Sequence, residues 1–181
     1  MVDSTAAASA LDMMSKPQGA AFIKFCGKAA PIVCSAVFVA PFPTVSKIVS
    51  TRTVGDLPLL PYSSMAVNAF IWMVYGLLNA ETKVWQPNLF GLIMASYYCF
   101  QYKKFVPRKA SNLPGTLSQH VRYGTLLMTF TILLAYSLEK KVASAIIGKL
   151  GVIICIVLFA SPLSTLKTVI ATKSAKSIPL P

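Results

Sequence analysis

Few side chains in this sequence can do chemistry, and those that can are set singly in apolar surroundings. Asn88 follows Pro87 near one end of an apolar stretch, and its carboxamide offers both a donor and an acceptor to a hydroxylated ligand. The competing use of such a group is a helix–helix hydrogen bond, worth about 0.6 kcal/mol on average within a membrane. Trp72 lies in the preceding apolar stretch. An indole face stacks on the C–H surface of a ligand while its N–H donates, and the same ring equally serves packing or interfacial anchoring. Asn68 and Tyr75 stand within a turn of Trp72 on either side, and Asn68 reads as a structural hydrogen-bonding residue. Pro41 and Pro162 fall inside runs that still look helical. A proline there frees the carbonyl four residues earlier and loosens the segment. Pro61 and Pro179 stand where prolines also serve as helix caps.

Equally informative is the chemistry without residues to carry it. The 4 Cys form no CxxC pair, His120 is the single histidine, and only 5 residues are acidic. Three of the four cysteines lie in apolar runs, where a thiol behaves as a small hydrophobe. The sequence holds no Gly-rich phosphate loop, no catalytic carboxylate pair and no nucleophile with a neighbouring base. The expectation is a protein that is not an enzyme and that needs no metal or redox cofactor. No acidic residue lies well inside an apolar stretch, which argues against a proton relay through these segments.

The elements that must position Asn88 and Trp72 follow from composition. The chain has 181 residues, 55% hydrophobic and 12% charged, about half the charged share of a soluble domain. Too little polar material is present to coat a soluble core. Five stretches approach the roughly 20 apolar residues that cross a bilayer: 29–48, 62–78, 85–102, 123–138 and 142–170. Tyr62, Trp85, Tyr97, Tyr98, Tyr102 and Tyr123 gather at their ends, as interfacial belts do. The net charge of +12 reflects 17 Lys and Arg, and membrane-surface loops explain it without a nucleic-acid partner. With the N-terminus outside, ten of the 17 fall in inside segments and seven outside, three of the seven ahead of the first apolar stretch. The positive-inside rule then places the C-terminus in the cytoplasm. The basic stretch 103–109 reads as a stop-transfer loop, with anionic lipid contact as the alternative. Residues 1–25 lack the basic start and continuous apolar run of a signal peptide and are expected to be a frayed or amphipathic tail.

An internal repeat links the first and fifth stretches. An offset of 121 residues aligns Pro41 with Pro162, Thr44 with Thr165 and Val49 with Ile170. The same offset aligns Thr51 with Thr172, Arg52 with Lys173 and Thr53 with Ser174. Each copy ends an apolar span, enters a short basic loop and meets a further proline, Pro61 or Pro179. Four spans per period is an even number, so both copies face the same side. This is a parallel repeat about an axis along the membrane normal.

At these residues the sequence resembles the SWEET sugar transporters, the eukaryotic relatives of the bacterial SemiSWEETs. The likeness covers about residues 26–181 and rests on Ala40-Pro41-x-x-Thr44, Leu60-Pro61-Tyr62 and Asn68-x-x-x-Trp72-x-x-Tyr75-Gly76. It continues in Asn88-x-x-Gly91, Ala160-Ser161-Pro162-Leu163 and Thr172-Lys173-Ser174. The resemblance implies an all-α integral membrane fold of parallel three-helix-bundle repeats joined by a linker helix. Five of seven transmembrane helices would then be present, in a C-terminally truncated chain. It divides the chain into a tail (1–25), a first bundle (26–106), a loop with the linker helix (107–140) and an incomplete second bundle (141–181). It implies bidirectional sugar uniport by alternating access, with no cofactor, for a mono- or disaccharide. Asn88 matches the family's sugar-binding asparagine and Trp72 its pocket-facing position. Pro41, Pro61, Pro162 and Pro179 match a four-proline hinge at the cytoplasmic gate, and Tyr75 matches an extracellular gate tyrosine. The resemblance also implies a plasma-membrane or endomembrane location and homo- or hetero-oligomers with other SWEET protomers.

Two other readings compete. One takes the chain as a non-transporting subunit that modulates intact protomers, the other as a PQ-loop transporter of amino acids. Against the second, Pro41-Phe42 and Pro162-Leu163 stand where a Pro-Gln pair would. The sequence also departs from the family at Ile178-Pro179-Leu180, where Met-Pro-Phe is usual.

Overall fold

A computed structural model describes the backbone of residues 17–55, 57–107 and 116–172, and the side chains of 19–55, 57–107 and 116–156. Six helices occur among them: α1 (Pro17–Val39), α2 (Phe42–Thr51), α3 (Leu60–Leu78), α4 (Thr82–Phe105), α5 (Leu117–Ser137) and α6 (Lys140–Thr172). The described residues contain no strand.

The first apolar stretch is longer than expected and broken. Helix begins at Pro17, inside the segment read as a tail, and the break falls at Ala40-Pro41. Pro41 and Pro43 lack N–H groups, so the carbonyls of Val37 and Val39 lose their helical donors. Pro41 then serves as the N-cap of α2 with φ −74° and ψ −9°, and its carbonyl accepts from Val45 N–H at 3.0 Å. The chain therefore resumes helix within one turn. α2 ends at Arg52, whose φ of 56° is left-handed and stops further helix.

The remaining boundaries have local causes. Pro61 sits in the first turn of α3, where its missing N–H would have had no intrahelical partner. α3 closes with Glu81 N–H on Gly76 O at 2.8 Å and Ala80 N–H on Leu77 O at 3.2 Å, a Schellman end with Ala80 at φ 55°. α5 opens on a capping box: Gln119 N–H donates to Thr116 Oγ1 at 3.2 Å while Thr116 N–H donates to Gln119 Oε1 at 2.7 Å.

α4 lies between α1 and α3, and α2 also packs against α4. α3 carries α5 and α6 as well, and those two touch each other. One apolar core joins Val45, Ile48, Leu59, Tyr62, Tyr98 and Tyr102. A second joins Val67 and Ile71 of α3 to Ala143 and Ile147 of α6. Gly91 permits the α1–α4 approach, since a Cβ there would lie 2.3 Å from the Phe38 ring.

The tyrosines divide differently from the expected interfacial belt. Tyr123 is 60% exposed, but Tyr98 and Tyr102 are 0% and 1% exposed. Tyr62 is also buried, with its ring centroid 6.0 Å from that of Tyr98 and 6.1 Å from that of Tyr102. Their hydroxyls have backbone work instead. Tyr98 donates to Phe38 O at 2.9 Å, one turn before the break, and Tyr102 donates to Leu57 O at 2.6 Å.

The outer faces are apolar: Phe22, Phe25 and Ile32 of α1 and Ile153 and Ile156 of α6 are all largely exposed. Exposed apolar side chains of this kind suit a lipid surround. Among the described residues, one stretch, Gly19–Thr51, is both long enough and apolar enough to cross a bilayer by itself. The other spans mix in polar and aromatic residues such as Asn68, Trp72, Tyr98 and Gln101. Asn68 and Tyr98 are buried within the bundle rather than turned outward.

Candidate binding site

Trp72 and Tyr75 are brought together on α3, with ring centroids 5.4 Å apart and planes at 76°. Both rings lie over α6, where two glycines remove the side chains that would block them. A Cβ at Gly148 would meet Tyr75 Cε2 at 3.0 Å, and one at Gly151 would meet Trp72 Cε2 at 2.9 Å. The indole N–H is engaged: Trp72 Nε1 donates to Cys155 Sγ at 3.4 Å, and that thiol donates to Asn68 Oδ1 at 3.2 Å. Asn68 is 8% exposed, and its Oδ1 is the acceptor of that thiol.

Asn88 is buried on α4 at 7% exposure. Its Nδ2 donates to Val84 O at 2.8 Å, a bond inside its own helix beside Pro87. That bond occupies one of the two N–H groups of the carboxamide. Among the described residues no hydrogen bond or ring contact joins Asn88 to Trp72 or Tyr75. Beside Tyr75 a groove of about 580 Å³ opens along α6, lined by Lys141, Ser144, Gly148, Lys149 and Val152.

The prolines are placed as follows. Pro41 is at the α1–α2 break and Pro61 is in the first turn of α3. Pro162 belongs to the described backbone of α6, its side chain outside the described residues, and Pro179 lies outside them altogether. None of the described residues forms a cluster of three or more His, Cys, Asp or Glu able to hold a metal ion.

Reading the sequence alone misses four of these residues. Asn79 caps α3 and its Nδ2 donates to Ser144 Oγ at 2.8 Å, while Ser144 Oγ lies 3.1 Å from Asn79 Oδ1. An Asn just past an apolar run is a recognisable C-terminal signal, so this one was findable. Gly151 and Cys155 carried no such signal, because only the register between α3 and α6 sets them against Trp72.

Comparison with known proteins bears on what this arrangement serves. Residues 24–110 match the family described as "Sugar efflux transporter for intercellular exchange". The sugar transporter SWEET1 of Dictyostelium discoideum is 26% identical over 87% of this chain and 70% of its own length. The bidirectional sugar transporter N3 of Medicago truncatula is 26% identical over 82% of this chain, and SWEET17 of Arabidopsis thaliana 28% over 82%. The chain spans 55% and 62% of those two plant relatives. A solved eukaryotic SWEET transporter superposes with a TM-score of 0.73 at 19% identity, covering 84% of this chain and 72% of the other.

Proposed function

We propose, from the premise that this chain belongs to the SWEET family of sugar transporters, that it forms part of a bidirectional sugar uniporter working by alternating access. It is an integral membrane protein of that family. The observation that carries the reading is the interrupted first span, broken at Pro41 and held beside the break by the Tyr98 hydroxyl of another helix on Phe38 O. Broken helices in a bilayer persist where neighbours answer the freed backbone, and transporters use them beside the substrate path.

The substrate is a mono- or disaccharide. Trp72 offers it an aromatic face and Asn88 a carboxamide. Substrate competes for the internal bonds these groups now make, to Cys155 and to Val84. Pro41, Pro61, Pro162 and Pro179 form the hinge at the cytoplasmic end, and Tyr75 closes the outer end. Residues 26–106 act as the first bundle, 107–140 as the loop and linker, and 141–181 as part of a second bundle. The N-terminus is outside, the C-terminus is cytoplasmic and the plasma membrane is the site of action. Uptake of radiolabelled glucose and sucrose by transport-deficient yeast expressing the gene tests this, and no saturable flux of any sugar would sink it.

A second reading draws on the open groove beside Tyr75. There another SWEET protomer supplies the facing bundle, and this chain acts as its non-transporting partner. Co-purification with a second SWEET protomer, together with absence of flux by the chain alone, would favour that reading.

A further inference from the structure

We propose that Gly151 and Cys155 of α6 are positioning residues for Trp72, so that α6 sets the width of a site whose aromatic face belongs to α3. The functional half of this inference rests on the reading that Trp72 meets the sugar. Its geometric half stands on contacts alone. A Cβ at Gly151 would lie 2.9 Å from Cε2, 3.1 Å from Cζ2 and 3.3 Å from Nε1 of Trp72. A methyl group there cannot coexist with the present indole. Tyr75 stands edge-on to one side of the ring, which limits how the ring can give way.

Cys155 fixes the other coordinate. Its sulfur accepts from Trp72 Nε1 and its S–H passes on to Asn68 Oδ1. One thiol thus ties together two α3 residues a helical turn apart, using both its acceptor and its donor capacity. Asn68 is buried, so its oxygen would be left unsatisfied if the chain were cut. The seat exists only while α3 and α6 keep this register. Movement of α6 against α3 removes the glycine floor and the thiol together, and the indole is released. Size selection is thereby linked to the relative position of two helices that the internal repeat assigns to different halves.

The test uses fluorescence and transport on the same full chain in proteoliposomes. The chain has 2 Trp, so Trp85→Phe leaves Trp72 as the only indole. In that background Gly151→Ala should move the Trp72 emission maximum, and Cys155→Ser should raise its intensity by removing a quenching thiol. Gly151→Ala should also raise the KM for sugar about tenfold, the lower end of what one methyl group does in a shaped pocket, with maximal rate unchanged. Gly124→Ala is the control, since its Cβ would meet Val67 Cγ2 at an ordinary 3.4 Å, and it should change neither signal. Should Gly151→Ala fail to fold, Gly151→Ala with Trp72→Phe in wild-type Trp85 should recover folding, because the smaller ring makes room. Unchanged emission in both variants overturns the inference. So does altered emission with an unchanged KM in a protein that transports. If the unmodified chain moves no sugar, the transport reading fails, and the emission of the two variants still decides whether α6 seats the indole.

Discussion

Tyr98→Phe removes one oxygen from the centre of the bundle and leaves the ring in place. The hydroxyl donates at 2.9 Å to the Phe38 carbonyl, with Tyr98 0% and Phe38 5% exposed. No cavity of consequence forms, so the cost is that of a buried acceptor left without a donor, about 1–3 kcal/mol in proteins generally. Side-chain hydrogen bonds measured within membranes run lower, averaging about 0.6 and reaching about 1.7 kcal/mol. Phe38 O lies one turn before a proline break, where neighbouring carbonyls have already lost their donors, so little local rearrangement can rescue it. A loss of about 1–1.5 kcal/mol is expected, close to a tenfold change in the unfolding equilibrium. Unfolding in mixed micelles titrated with sodium dodecyl sulfate, followed by tryptophan emission, measures it. Tyr97→Phe is the matched control, because Tyr97 is 38% exposed and contributes a ring contact that Phe keeps. Equal midpoints for the two variants would refute the idea that Tyr98 stabilises the broken span.

Other expectations follow from named contacts. Gly91→Ala places a Cβ 2.3 Å from the Phe38 ring and should cost about 1–3 kcal/mol in the same titration, with Phe38→Leu as a second change recovering part of it. Asn79→Ala and Ser144→Ala share one hydrogen-bonded pair, so a double-mutant cycle should show a coupling of about 0.5 kcal/mol or more. Asn88→Ala should reduce sugar uptake while surface expression stays normal, read by uptake assay and cell-surface labelling. Pro162→Ala should impair uptake more than expression, and normal uptake in that variant would count against a hinge at this proline.

Much of the helical order was legible because lysines, prolines and turn residues bound each apolar stretch. The break at Pro41 was marked by its own residue type, since a proline inside a span has few other consequences. The start at Pro17 was less legible: Gly19, Lys24 and Lys28 dilute the apolar signal there, yet the helix continues through them. The tyrosines show a sharper limit. Tyr97 and Tyr98 are neighbours in sequence and both suit an interface, but a step of one residue turns a helix by about 100°. One ring faces outward and the other is fully buried. Composition could not tell them apart, because the choice depends on where α1 ends relative to α4. The candidate site divides the same way. Trp72 and Asn88 stand out as polar-capable groups in apolar runs, whereas Cys155 reads as one more small hydrophobe until α6 sets it between Trp72 and Asn68.

The most direct measurement is equilibrative flux of radiolabelled glucose and sucrose across proteoliposomes holding this 181-residue chain, alone and with a second SWEET protomer. Saturable flux in both directions for at least one sugar, weakened by Trp72→Ala and by Asn88→Ala, is the expected result. Absence of saturable flux under both conditions would contradict the assignment of sugar transport to this site.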